Sequence, residues 1–164
     1  MKADLHKCCA LISHGVYVIS VADAGRQHAF TAAWLMQVSF DPLMLAFSIN
    51  PGHYSYQLLK SGQICAVNVL EKHQLKIAEH FGTPGLKNKL QGYHWLIKKT
   101  GAPVLCDSLA YFDCQVSHFS GAGDHQLVVC RVIDAGIIQP GRPMVYSETG
   151  TMDDSQESYP DALS

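Results

Sequence analysis

The sequence predicts a mainly β domain: a closed or nearly closed antiparallel barrel with a few peripheral helices. Three observations predict it. Short apolar, β-branched runs recur between turn signals. Only three short segments carry helical spacing. The regular strand–helix alternation of a doubly wound parallel sheet is missing. Closure also protects the edges of so many apolar strands. With 164 residues and 48% hydrophobic content, the chain is long enough for one well-filled core.

The elements follow in order. Leu5, Cys8, Cys9 and Ile12 recur at helical spacing over 4–14, and Gly15 stops that helix. Residues 16–21, Val-Tyr-Val-Ile-Ser-Val, make a strand. Ala24-Gly25 is a turn, 28–34 a second strand, and Asp41-Pro42 another turn. Residues 43–49 form a continuous apolar strand that Asn50-Pro51-Gly52 breaks. A short helix is expected over 54–60 and a strand over 64–70. Leu75, Ala78 and Phe81 mark a helix over 71–81, closed by Gly82. Residues 83–92 read as a loop. Further strands are expected at 104–105, 109–118, 126–138 and 144–146, with Gly121-Ala122-Gly123-Asp124 separating the two long ones.

Composition excludes several classes of function. The formal net charge is −2, so no global field favours nucleic acid or an anionic membrane surface. No apolar run approaches a membrane span. The six cysteines form no C-x-x-C pair and most lie in apolar runs. They read as reduced, buried thiols of a cytoplasmic protein, with Cys65, Cys106, Cys114 and Cys130 in the core. The nine histidines are scattered without zinc spacing, so no metal site is expected. Residues 1–147 read as one domain. Residues 148–164 hold Glu148, Asp153, Asp154, Glu157 and Asp161 with no Lys or Arg, and read as a solvated acidic tail open to disorder.

The sequence contains no P-loop, no dinucleotide fingerprint and no hydrolase nucleophile elbow. What remains is a set of polar residues at strand ends. Thr31-Ala32-Ala33-Trp34 joins small residues to an indole, and Gln37, Val38 and Ser39 follow before the Asp41-Pro42 turn. Small residues let a backbone approach a flat ligand. Hydroxyls and amides offer hydrogen bonds without fixed charge. Ser48-Ile49-Asn50, His53 and Ser55, Asn68, Lys87 and Lys89, and Gly123-Asp124-His125 complete the set. In a small barrel these segments can meet in one cleft, with neutral groups on an aromatic ring and cations on a phosphate.

Each residue also has a plainer reading. Trp34 and Tyr54 serve a core as well as a ligand wall. Asn68 inside an apolar strand requires a partner, which backbone supplies as readily as a ligand. His80 suits a helix C-terminus. His125 suits a structural hydrogen bond, and Lys87 and Lys89 a solvated loop.

In this order the segments resemble the flavin reductase-like, FMN-binding split-barrel family. The resemblance spans about 9–147. It rests on Thr31 through Pro42, Asn68-Val69-Leu70, Ala78-Glu79-His80-Phe81-Gly82, Thr100-Gly101-Ala102-Pro103-Val104-Leu105 and Gly123-Asp124-His125. Thr31 to Trp34 is also similar to the flavin reductase domain of some di-iron flavoproteins. The resemblance implies a homodimeric, six-stranded Greek-key barrel that binds FMN, with FAD or riboflavin as alternatives. NADH or NADPH would donate the hydride, and an oxygenase or other redox partner would take the reduced flavin. A non-catalytic FMN electron carrier is the alternative.

Carried over by position, Thr31, Ala32, Ala33, Trp34, Gln37, Val38 and Ser39 would line the ring and ribityl chain. Ser48, Ile49 and Asn50 would face the ring, and Asn68 would hydrogen-bond near it. His53, Ser55 and Lys89 would hold the phosphate, and His125 would stand at the nicotinamide site as the catalytic residue. The sequence departs from the family pattern at His53, where many relatives carry Arg, at Ser55, where they carry Thr, and at Asn88, where they carry Asp.

Overall fold

The computed structural model describes residues 2–150, 152–153, 155–161 and 163. The chain runs α1 (Lys2–Ala10), β1 (Tyr17–Asp23), β2 (Arg26–Ala32), β3 (Leu35–Ser39), β4 (Met44–Ile49), α2 (Tyr54–Gly62), β5 (Ile64–Val69) and α3 (Leu75–Gly82). It continues with β6 (Trp95–Ile97), β7 (Pro103–Leu105), β8 (Ala110–Ala122) and β9 (His125–Ile137), then two 3-10 turns at Tyr146–Glu148 and Ser155–Ser158.

Seven strands form one sheet in the order β2-β1-β5-β8-β9-β4-β3, and β6 and β7 form a separate pair. All neighbours are antiparallel. The long crossings that bring β5 to β1 and β9 to β4 give the Greek-key path. The sheet rolls up, because Phe30 on β2 and Phe47 on β4 approach to 6.4 Å across the interior. Ile19, Val21, Phe47, Cys65, Val67, Cys114, Val128 and Cys130 fill that interior from five strands, and Leu58 and Leu59 of α2 add to it. Each fully buried large aliphatic or aromatic side chain contributes roughly 1.5–3 kcal/mol.

β1 is buried on both faces. Its inward residues are Ile19 and Val21, while Val16 and Val18 pack outward on Ala78 and Phe81 of α3. α2 closes against β1 at Gly62, where a Cβ would stand 1.9 Å from the Ala22 carbonyl oxygen, so only glycine fits.

The mainly β architecture, the turns and the three helices match the sequence reading. The strand count differs, with seven strands in the main sheet rather than six. The expected strand at 28–34 ends at Ala32: the chain kinks at Ala33-Trp34, where the Leu35 N–H donates to the Ala33 carbonyl, and then pairs with β4 as β3. β3 is a half-exposed edge strand, so its sequence lacks the apolar run that marks buried strands. β6 was also unread. The expected strand at 144–146 is only a bridge from Gly15 to Val145 before a 3-10 turn. The first helix ends at Ala10, leaving Leu11 and Ile12 exposed. α3 starts at Leu75, because Gln74 turns its side-chain oxygen back onto the Glu71 N–H. Cys65, Cys114 and Cys130 are buried, but Cys106 is only partly so and Cys8 is exposed.

Candidate functional site

Two cavities adjoin along one side of the barrel. The first, of about 870 Å³, begins at the end of β2. Thr31, Ala32, Ala33 and Trp34 line it, with Ser48, Ile49 and Asn50 beside them at the end of β4. The two walls are tied by the Ser48 N–H, which donates to the Trp34 carbonyl at 3.1 Å. Asn50 Oδ1 accepts from the Gly52 N–H at 2.8 Å, which leaves the Asn50 amide nitrogen for a ligand.

The β8–β9 turn brings the third wall. Gly123 takes φ +64°, a left-handed turn position that glycine enters freely, and His125 follows as the first residue of β9. His125 packs on Trp34 with ring centroids 5.3 Å apart. Its Nδ1 lies 2.7 Å from Asp124 Oδ1. A carboxylate only accepts, so the proton sits on Nδ1 and Nε2 is left for a ligand. This bond, with the nearby imidazole, holds the Asp124 carboxyl below its ordinary range.

The opposite wall comes from the two ends of the chain. His6 and Cys9 of α1 contribute, with Tyr146, Asp153, Ser155 and Tyr159. The Tyr146 hydroxyl donates to Asp153 at 3.0–3.1 Å, and the His6 and Tyr159 rings meet edge-on at 5.8 Å. Burial and then the Cys9 thiol push the Tyr159 phenol up to about 12. The segment read as a solvated tail thus lies against α1. Asp154, named with it, lies outside the described residues.

The second cavity, of about 1370 Å³, shares Phe30, Thr31, His53 and Ser158 with the first. His28, Ser55 and Lys89 line it, and no carboxylate is among its described lining residues. Ser55 lies in the first turn of α2, and its hydroxyl meets His28 Nδ1 at 2.6 Å. Lys89 is buried, and its amine donates to the Phe81 carbonyl at the end of α3 at 2.8 Å. Burial lowers the Lys89 ammonium from its usual range. His80 Nε2 sits 2.8 Å from the Lys89 carbonyl and anchors the same loop. Burial, with Lys89 and a second histidine adding repulsion, lowers both His28, to about 4, and His53.

Nine sequence-named residues therefore meet in the first cavity, and Ser55 and Lys89 join Thr31 and His53 in the second. Four do not reach either. Asn68 is fully buried outside them: its amide donates to the Val18 carbonyl at 2.9 Å and accepts from the Leu105 N–H at 2.8 Å. Its partners are backbone, and it lines neither cavity. Gln37, Val38 and Ser39 lie on the edge strand β3, beyond the kink at Ala33-Trp34, and line neither cavity. Sequence reasoning missed His28, whose only signal is a polar ring two residues before the inward Phe30, and Tyr159, hidden in an acidic segment.

A long ligand with a flat end and an anionic end fits these compartments. Small residues and an indole bound the first, while cations without carboxylates bound the second. The chain matches the family described as flavin reductase like domain over residues 9–153. It is 28% identical over 145 residues to FMN reductase (NADH) RutF of Agrobacterium fabrum, covering 87% of this chain and 83% of that one. A putative diflavin flavoprotein A 1 of Nostoc is 29% identical over 136 residues, 80% of this chain, but the chain spans only 23% of that protein. The solved NADH:FAD oxidoreductase SgcE6 of Streptomyces globisporus superposes with a TM-score of 0.81 at 25% identity, covering 90% of each chain. The chain belongs to the flavin reductase like domain family.

Proposed function

We propose that this chain is an NAD(P)H-dependent flavin reductase that binds FMN and transfers a hydride to it from a nicotinamide. The observation that carries this reading is the two-compartment cleft, walled by small residues and an indole at one end and by cations without carboxylates at the other. Its likeness to an FMN reductase (NADH) over nearly the whole chain supports the same reading.

Bound flavin supplies the hydride-accepting chemistry. The protein binds and orients. Ala32 and Ala33 keep the wall low enough for a ring to lie against the backbone. Thr31 Oγ1 already donates to the Ala78 carbonyl at 2.6 Å, so it offers a ligand only acceptor capacity. The Asn50 amide nitrogen offers a donor. His125, oriented by Asp124, positions the nicotinamide through Nε2 and is no obligate acid. Holding two rings in contact geometry supplies much of the rate. α1 and the C-terminal residues Tyr146 and Tyr159 shield one side from water. We read residues 1–147 as the flavin domain and 148–164 as an appendage to this wall.

The exposed apolar residues of the β3 edge support a homodimer: Trp34 is 50%, Met36 58%, Val38 45% and Phe40 89% exposed. Gln37, Val38 and Ser39 would then serve that contact. Reduced flavin or electrons would pass from this cleft to an oxygenase or other redox partner. The six free cysteines support a cytoplasmic setting. Among the described residues, no helix is long and apolar enough to cross a membrane.

The test is an anaerobic titration of the flavin-loaded protein with NADH and NADPH. Rapid bleaching of a yellow protein is expected. A yellow protein indifferent to both nucleotides is instead an electron carrier. A colourless protein with no flavin affinity overturns both readings.

A further inference from the structure

We propose that His28, together with Ser55, binds the flavin phosphate and takes up a proton from solvent as it does so. This rests on the flavin reading above and assigns a phosphate-selective role to a residue outside the motifs. His28 is held in place before any ligand arrives. Its Nδ1 meets the Ser55 hydroxyl at 2.6 Å, and its ring packs edge-on against Tyr54 at 5.2 Å. Its Nε2 has no hydrogen-bond partner among the described residues. The ring lines the cationic cavity.

The charged groups around it are of one sign. Arg26 on the same strand is paired with Asp23 at the β1–β2 turn. His53, at the start of α2, and Lys87 and Lys89, from the loop at 83–92, line the same cavity, with the phenol of Tyr54 beside them. Lys89 already donates to the Phe81 carbonyl. Arg26 also lines this cavity but is committed to Asp23, and a protonated His28 adds a cation held against Ser55. With both ring nitrogens protonated, Nδ1–H donates to Ser55 Oγ, which turns the serine hydrogen toward the ligand. The phosphate thereby gains one directed donor, the Ser55 hydroxyl, beside the positive charge of the imidazolium.

The sign of the linkage follows. In the empty cleft, burial and the neighbouring cations hold His28 down to about 4, so it is neutral near pH 7. A phosphate dianion reverses the local field and favours the imidazolium. Binding then takes up a proton, and FMN affinity rises as pH falls. Riboflavin has no phosphate and takes up none at this site.

Dissociation constants for FMN and riboflavin are measured from pH 5.5 to 8 in the full chain, in wild type and His28→Gln. Wild type is expected to bind FMN roughly three- to tenfold more tightly at pH 5.5 than at pH 7.5, against less than about twofold for riboflavin. His28→Gln flattens the FMN profile to that of the FMN phosphate itself. Calorimetry in buffers of different ionisation enthalpy counts the proton directly. The wild-type minus variant difference cancels the ligand's own titration. Riboflavin affinity reports whether the variant is folded, and Ser55→Ala provides a second route to the same loss of FMN-over-riboflavin preference. Identical FMN pH profiles and proton counts in wild type and His28→Gln overturn the proposal alone. Failure of either flavin to bind at any pH overturns the flavin reading and the proposal with it.

Discussion

The two ends of the cleft recognise a ligand by opposite means. The ring end uses shape. Ala32, Ala33 and Trp34 are consecutive, Ser48 to Asn50 run beside them, and their geometry is fixed by sheet hydrogen bonds. The proposed phosphate end gathers polar and basic groups from distant places: His28 from β2, Ser55 from α2 and Lys89 from a loop. Such a site is sensitive to pH and salt in a way the ring end is not. A flat neutral surface can be built from neighbours in sequence. A cationic pocket must gather like charges, and each must be anchored against its repulsion. Lys89 on the Phe81 carbonyl and His28 on Ser55 are those anchors.

The boundary of the cleft is tested most severely at Asn68. Asn68→Ala strands the Leu105 N–H and the Val18 carbonyl in the interior, at a cost of about 3 kcal/mol of stability. Denaturant unfolding should show that loss, while FMN and riboflavin affinities of the folded variant stay unchanged. A selective loss of flavin affinity would return Asn68 to the site. Next comes Lys89→Met. Loss of a buried charged donor costs about 2 kcal/mol, or roughly 30-fold in FMN affinity. Riboflavin should suffer several-fold less. Equal losses for the two flavins would break the division between ends and make Lys89 a scaffold residue of α3.

Much of the ring end was legible because it is local. A run of small residues ending in Trp and a strand breaking at Asn50-Pro51-Gly52 carry their meaning within a few positions. Asn68 shows where motif and strand periodicity point to different faces. On β5, Cys65 and Val67 face the barrel, so the two-residue period puts Ala66 and Asn68 on the other face, under β7. Periodicity alone carried that signal, and the motif outweighed it. Thr100 shows the same point: its N–H and hydroxyl both bond Asp113, so the Thr-Gly-x-Pro segment fastens the entry to β7 rather than touching the cleft. His28 was not legible, because a lone histidine in a strand gains meaning only when α2 folds across it. Gln37 to Ser39 line neither cavity, because the chain kinks before them at Ala33-Trp34, a site with no glycine or proline, and carries them onto the sheet edge.

At the ring end, His125→Ala should slow hydride transfer about tenfold, near 1.4 kcal/mol, with FMN affinity within about twofold. Anaerobic stopped-flow separates the two quantities. A rate equal to wild type would leave His125 as packing for Trp34 alone.

The smallest effect is expected at Asp124, and it decides how His125 acts. Asp124 is exposed at the rim of the first cavity and bonds His125 Nδ1. Its carboxyl is held below the usual range by that bond, so the pair persists above the ordinary carboxylate range and weakens as pH falls through the lowered value. Asp124→Asn removes the charge but keeps an acceptor oxygen on Nδ1, so the tautomer survives. Asp124→Ala removes both. If orientation is what Asp124 provides, Ala should slow flavin reduction about threefold and Asn should restore most of it, with FMN affinity unmoved in both. Equal losses in the two variants would mean that the carboxylate acts through its charge. The ring end would then share the electrostatic logic of the phosphate end, and the contrast between the two would narrow to where the charges sit.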